Sequence, residues 1–286
     1  MSLHAIASVA SNDDIQLNAA IVSQCRLSET DVATIAQAQR VLGLRFVDTA
    51  LRLGFITQND IDQALSSGRM HLPAVTTAIP GNELILAHDI YDPRSERIQA
   101  LCTELLLRHE DIGSANVLAV LSPCSGEGRS QLAAELAIAF AQLGRPTLLV
   151  DADLRRPNQH RLFGTDNHRG LSQAIASGET PRCHPVAGLA NMHLLTSGPL
   201  PANPMELLSG VRFESMIDDW RHSYDFVVLD TAPVRRYSDG LAVATVVGRV
   251  LMVSRAKHTS YKDTRDMLRR LSATQSRILG AVINHF

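Results

Sequence analysis

The sequence predicts an α/β chain of two domains: a small helical one, then a parallel sheet with helices on both faces. Three observations predict it. At 286 residues the chain has room for two domains, each of about 150 residues. A short unit that begins at Gln16 returns at Arg45, 29 residues on. After Asn116, short apolar runs alternate with longer amphipathic ones, the pattern of parallel strands joined by helical crossovers.

The repeat defines the first domain, residues 1–70. Leu17 pairs with Phe46, Val22 with Leu51, Leu27 with Ile56 and Val32 with Ile61. Ser28 and Thr57 stand three residues before Asp31 and Asp60, a helix-start signal resembling a capping box. Each unit reads as helix, turn and capped helix, and one unit alone could not bury its apolar face. Residues 71–92 lose the periodicity and carry Pro73, Pro80 and Gly81, so they read as a linker. The second domain, 93–286, opens with a helix from Arg94 to His109 whose Ile98, Leu101 and Leu105 share a face. Val117–Leu121, Thr147–Val150, Phe226–Leu229, Val250–Val253 and Ile278–Ile283 read as buried strands. Gln131–Leu143 and Lys262–Ser272 read as helices between them.

Composition narrows the classes. Lys and Arg number 27 against 29 Asp and Glu, a net charge of −2, which argues against a nucleic-acid-binding surface. Apolar residues at 45% and charged residues at 20% fit a folded chain. Aromatics at 4% leave the core to Ala, Leu, Val and Ile. Cys25, Cys102, Cys124 and Cys183 are far apart and form no CxxC pair, so neither a disulfide framework nor a zinc site is read from them. Leu132–Leu143 contains Glu135 and Leu241–Val253 contains Arg249; neither reaches the roughly 20 apolar residues that span a bilayer. The sequence is read as soluble and of a reducing compartment.

The chemistry begins after the first strand, at Ser122-Pro-Cys-Ser-Gly126-Glu-Gly128-Arg129-Ser130-Gln131. Strand, Gly-rich turn and helix make a P-loop arrangement, in which backbone N–H groups and a helix N-terminus cradle phosphate. The expected nucleotide-binding set is Ser125, Gly126, Glu127, Gly128, Arg129, Ser130 and Gln131, with the Ser130 hydroxyl on Mg²⁺. Arg129 stands where the motif has Lys, and Pro123 where it has its first Gly. Asp151 and Asp153 end one predicted strand and Asp230 ends another. Ligands of open α/β sheets bind outside such carboxyl ends. Three acids there call for a divalent cation, although any one of them also reads as a helix cap.

Gly126-Glu-Gly-Arg-Ser, Leu148-Leu-Val-Asp-Ala-Asp-Leu-Arg-Arg-Pro157, Gly170-Leu-Ser, Asn203-Pro-Met-Glu-Leu-Leu208, Tyr224-Asp-Phe-Val-Val-Leu-Asp-Thr-Ala-Pro233 and Val282-Ile-Asn284 resemble the bacterial tyrosine autokinases. These are MinD/ParA-like P-loop proteins of capsule and exopolysaccharide export, and the likeness runs over roughly residues 90–286. The Gly-Glu-Gly-Arg-Ser form after a tandem repeat looks most like the EpsG-type, chain-length-determinant-associated branch. The resemblance implies a P-loop NTPase fold, with ATP and Mg²⁺ as cofactors. It places Arg129, Asp151 and Asp153 in catalysis, Asp151 as base or orienter of the attacking tyrosine hydroxyl. Ser130, Asp153 and Asp230 would hold the metal, the acids directly or through water. Asn284 resembles an adenine-contacting position; a strand-end turn Asn is the other reading. Arg155 and Arg156 read as a solvated pair, a phosphate contact or a subunit contact.

Three departures stand out. A planar guanidinium is not a compact ammonium at the β/γ-phosphates. The family's Glu-x-x-Arg-x-x-Arg subunit-contact motif is here Glu96-x-x-Gln99-x-x-Cys102, a weakened basis for a homo-oligomer. The family's C-terminal tyrosine cluster is missing; the tyrosines are Tyr91, Tyr224, Tyr237 and Tyr261. The repeat faintly resembles the MshEN-type domain, whose Arg-Leu-Gly-x-x-Leu-Val units bind cyclic di-GMP. Here they begin Gln16-Leu-Asn and Arg45-Phe-Val, which favours protein docking over cyclic di-GMP. The resemblance implies a cytoplasmic protein-tyrosine kinase recruited to the inner face of the cell membrane by a polysaccharide co-polymerase or chain-length determinant. The rival is a catalytically weak nucleotide-dependent switch on that partner. A MinD/ParA-type positioning ATPase would want a Lys where Cys124 stands.

Overall fold

A computed structural model of the chain describes residues 22, 25, 27–42, 46–57, 83–88, 92–107 and 116–286. In chain order its elements are α1 (Glu29–Leu42), α2 (Phe46–Arg52), α3 (Ile85–His88), α4 (Pro93–Leu107), β1 (Asn116–Leu121), α5 (Arg129–Gln142), β2 (Thr147–Asp151), α6 (Gln159–Leu162) and α7 (Leu171–Ser177). There follow β3 (His184–Pro185), β4 (Met192–Leu195), α8 (Pro204–Leu208), α9 (Val211–Ser223), β5 (Phe226–Asp230), α10 (Asp239–Val247), β6 (Arg249–Arg255), α11 (Tyr261–Leu271) and β7 (Arg277–Asn284). The chain divides into two compact units, 1–73 and 74–286.

In the first unit, α1 starts with a reciprocal cap. The Asp31 amide donates to Ser28 Oγ at 3.2 Å, and the Ser28 amide donates to Asp31 Oδ2 at 2.9 Å. Ile35, Phe46, Ala50 and Ile56 form a buried cluster with Val22, Leu27 and Val32 against it. Five of the paired repeat positions, Val22, Leu27, Val32, Phe46 and Ile56, therefore share one core, as a two-helix unit requires. Leu17, Asp60 and Ile61, also read as repeat positions, lie outside the described residues.

The second unit is a seven-stranded sheet, among the described residues, in the order β3-β4-β2-β5-β1-β6-β7. Its pairs are parallel except β3 with β4. Successive residues of β1 feed opposite cores. Leu118 and Val120 join the α5 side, and Val117, Ala119 and Leu121 join the side of α7, α9 and α10. A strand buried on both faces reads as a continuous apolar run for this reason. Helix α5 is buried almost all round, from Leu132 to Ala141, as expected of an apolar helix without a solvent face. Its Phe140 ring stacks on Phe226 of β5 with centroids 4.0 Å apart.

The expected linker is corrected over its last part. Leu84, Leu86 and Ala87 are buried in the α5-side core, and the unit boundary falls at Pro73. Their attachment is polar as well as apolar. The buried Glu135 carboxylate accepts from the Ile85 amide at 2.6 Å and the Leu86 amide at 3.0 Å. Pro73, Pro80 and Gly81, which suggested a linker, lie outside the described residues.

Candidate functional site

Strand β1 lies between β5 and β6, while its crossover α5 leads to β2 beyond β5. The connections thus part at the carboxyl end of β1, the switch point where α/β sheets form a crevice. The turn from Ser122 to Gly128 emerges there. Gly126 and Gly128 have φ of 77° and 85°, a region costly for residues with a Cβ. At Gly128 a Cβ would also come within 2.4 Å of Asn284 Nδ2. The Asn284 amide donates to the Glu127 carbonyl at 2.7 Å, so the last strand braces the turn. Glu127 is buried and holds the turn from within: Oε2 accepts from the Cys124 amide at 2.8 Å, and Oε1 accepts from the Thr259 hydroxyl. Arg255 closes the other side, with Nε donating to the Phe286 carbonyl at 2.9 Å and Nη1 to the Gly126 carbonyl at 3.3 Å.

Above the turn opens a cleft of about 860 Å³, lined among others by Gly126, Gly128, Ser130, Asp153, Arg156 and Arg161. Ser125, Glu127, Arg129 and Gln131 also reach it; the Gln131 amide donates to the Glu83 carbonyl at 2.8 Å. Of the three acids in the floor beneath it, Asp153 lines the cleft, while Asp151 and Asp230 are fully buried and outside the lining; the register places Asp151 beside Asp230.

The floor differs from the expected one. The Arg129 side chain points into it, with Nε 3.3 Å from Asp230 Oδ1, Nη2 3.2 Å from Asp153 Oδ2 and Nη1 2.7 Å from Ser122 Oγ. The guanidinium expected at the phosphates is therefore paired with the acids. Asp151 is corrected as well. It is fully buried, outside the cleft lining, and accepts from the amides of Asp153, Asn158 and Gln159. That is the helix-capping reading of a strand-end Asp, and it gives a tyrosine hydroxyl no access to the carboxylate. Burial holds Asp151 well above the usual carboxylate range, and repulsion from Asp230 adds to it. Asp153 is raised first by burial and then by Asp230, with Arg129 opposing.

Oxygen donors such as Asp153, Asp230 and the Ser130 hydroxyl suit Mg²⁺ chemically. Their arrangement does not fit direct coordination. Asp153 Oδ1 accepts from the amides of Arg155 and Arg156, and Asp230 Oδ2 accepts from Gln159 Nε2 at 2.9 Å. With the bonds from Arg129, every oxygen of both carboxylates already has a protein donor. Among the described residues no three His, Cys, Asp or Glu side chains are arranged to hold a metal ion.

Sequence reasoning missed Gln159 and Ser122. Gln159 is fully buried and ties Asp230 to the Ser130 carbonyl, while its Oε1 has no partner. No motif marks a lone Gln. The Arg155-Arg156 pair divides. Arg155 Nε lies 2.5 Å from buried Asp239 and its guanidinium 4.2 Å over the Tyr237 ring. Arg156 is exposed at the cleft, with no acid paired to it among the described residues. Of the expected subunit-contact residues, Cys102 is corrected: it is buried in the α5-side core, which pushes its thiol up to about 12. Glu96 is exposed and Gln99 half-buried.

The fold and turn define a P-loop protein of the ParA type, and a profile described as NUBPL iron-transfer P-loop NTPase matches residues 113–285. Among curated relatives, the putative tyrosine-protein kinase CapB of Staphylococcus aureus is 30% identical over 66% of this chain and 83% of its own. Tyrosine-protein kinase YwqD of Bacillus subtilis is 33% identical over 66% and 80%. The solved kinase domain of the Escherichia coli tyrosine kinase ETK superposes with a TM-score of 0.67 at 29% identity, over 73% of this chain and 81% of that one. The chain belongs to the bacterial tyrosine-protein kinase family of ParA-like P-loop NTPases. No described helix is long and apolar enough to cross a membrane.

Proposed function

We propose that the chain binds ATP in the cleft over the Ser125–Gln131 turn and transfers the γ-phosphoryl group to a tyrosine hydroxyl, releasing ADP, within a polysaccharide-export assembly. The observation that carries this reading is the turn itself: two positive-φ glycines at the N-terminus of α5, opening on the cleft. Such a turn offers successive backbone N–H groups to an anion. Arg156 and Arg161, both exposed on the cleft wall, are the cations free to meet the terminal phosphates. Phosphoryl transfer asks the protein mainly to position groups and neutralise charge. The chain's share of that neutralisation falls to the turn and these arginines. A membrane-embedded chain-length determinant is the proposed partner, and recruitment to the inner membrane face follows from it.

A second reading is favoured by one observation. Arg129 and Asp151, both assigned to catalysis by resemblance, are spent on the floor. The chain then acts as an ATP-dependent switch on the same partner, with little or no transfer. Single-turnover incubation with γ-labelled ATP, with and without the cytosolic segment of the partner, separates the readings. Label on a tyrosine supports the kinase. Saturable ATP binding without transfer supports the switch, and no ATP binding overturns both.

A further inference from the structure

Two buried carboxylates at the floor of a cleft need a positive charge beside them, and here the chain itself provides it. Each of three nitrogens of the Arg129 guanidinium has its own acceptor: Asp230 Oδ1, Asp153 Oδ2 and Ser122 Oγ. The three side chains are almost wholly buried, 8% exposed for Arg129, 4% for Asp153 and none for Asp230. The Ser122 hydroxyl spends its proton on the Cys124 carbonyl, which leaves its lone pairs for Arg129. A rigid planar fork reaches three groups at once, whereas an ammonium is a compact point charge.

We infer that Arg129 is the resident counter-cation of the Asp153–Asp230 pair, and that a divalent ion can be coordinated by these carboxylates only when Arg129 leaves them. The two cations exclude one another for two reasons. Arg129 holds one oxygen of each carboxylate, and the other two are tied to the Arg155 and Arg156 amides and to Gln159. A second positive charge within a few ångströms of a buried guanidinium would also be repelled with little solvent to screen it. Arg129 is then a positioning residue of the floor. The substitution of Arg for Lys at this P-loop position changes what holds the acids together, and the disagreement between the expected metal site and the observed arrangement follows from it.

The test uses the full chain, Mn²⁺ alone and no nucleotide, so it stands apart from whether the turn binds ATP. Mn²⁺ binding is followed by electron paramagnetic resonance, and the unfolding midpoint by calorimetry with and without the ion. For the wild-type chain Mn²⁺ should bind weakly at most and leave the midpoint unmoved. Arg129→Met should lower the metal-free midpoint by about 6–20 °C, bind Mn²⁺ at least about tenfold more tightly, and recover part of the midpoint with the ion. Adding Asp153→Asn to Arg129→Met should abolish the gained binding. If Arg129→Met does not fold, Arg129→Gln, which keeps hydrogen-bond donors without the charge, should still bind Mn²⁺ more tightly than the wild type. Wild-type Mn²⁺ binding as tight as in the variants, or lost on Asp153→Asn alone, overturns the inference. So does a folded Arg129 variant that gains no binding.

Discussion

Glu135 and the Asp153–Asp230 pair are buried carboxylates of one folded unit, kept in place by opposite means. The aspartates face a guanidinium held among three acceptors. Glu135 has two backbone amides from the start of α3, with charge help only from Arg94, well below burial in weight. Dipoles stabilise a buried anion less completely than a paired cation does. Burial accordingly pushes Glu135 up to about 7. The pair of aspartates is fixed by charge, with Asp153 in the cleft lining and Asp230 fully buried; Glu135 ties a neighbouring segment to α5 and titrates close to neutrality. Even with Arg129 opposing, burial and Asp230 hold Asp153 above its ordinary value. At Glu135 two backbone dipoles carry most of the compensation, and the attachment they make is pH-dependent.

The largest expected effect comes from removing the compensation. Arg129→Met leaves two buried acids facing each other and should cost about 3–5 kcal/mol of unfolding free energy at pH 7, measured in urea. A loss below about 1 kcal/mol would mean that Arg129 does not hold the floor, and the contrast with Glu135 would collapse.

The pH profile sharpens the other half. A carboxyl with a raised folded-state value binds its proton more tightly when folded. Its contribution is therefore fully present below the unfolded value, 4.5, and is lost as pH rises through about 7. At about 1.4 kcal/mol per tenfold change in proton affinity, Glu135 accounts for roughly 3 kcal/mol across that window. Asp151 and Asp153 are also raised and tilt the wild-type profile the same way. The difference between wild type and Glu135→Gln isolates Glu135. Identical slopes in the two proteins between pH 4.5 and 7 would remove it from the account.

Much of this contrast was legible beforehand, and the part that was not has a physical cause. Four of the five strands that carry or flank the site read directly as apolar runs, because a strand covered on both faces has no polar alternation to hide it. The fifth, β7, also reads as buried and is instead an edge strand with Ile278 and Ile283 exposed. The acids at their ends were legible with them. Helix α9 was not assigned, although Phe213, Met216, Ile217 and Trp220 are its buried face; it follows the short helix α8 after only Ser209 and Gly210. The apolar run Leu241–Val253 is split by Gly248 at φ 77° into α10 and β6, and run length alone does not reveal a helix followed by a strand. The direction of the Arg129 side chain was illegible for a different reason. A motif gives a residue's place on the turn, and its rotamer is decided by which charges converge there in three dimensions.

Neighbouring arginines carry the comparison to a smaller scale. Arg155 faces Asp239, whose side chain is 1% exposed, and its loss leaves that acid without its ion pair. Arg155→Ala should therefore cost about 1–3 kcal/mol of stability, read in the same urea titration, and a loss under about 0.5 kcal/mol would deny the pair a structural part.

Arg156 is the opposite case and gives the smallest effect on folding. Its backbone amide donates to Asp153 Oδ1 at 3.0 Å, a bond that any residue but proline keeps, while its exposed side chain is paired with no acid among the described residues. Arg156→Ala should thus move stability by no more than about 0.5 kcal/mol. If the cleft takes a nucleotide, the same change should weaken ATP by about 1.5–3 kcal/mol, the range of a hydrogen bond to a charged group. ADP should lose less, because the terminal phosphate is the group an arginine on the cleft wall can reach without entering the turn. Calorimetric titration of both nucleotides into the two proteins reads this directly. Equal losses for ATP and ADP would move Arg156 away from the terminal phosphate, and a large loss of stability would place it with Arg129 and Arg155 in the framework of the floor.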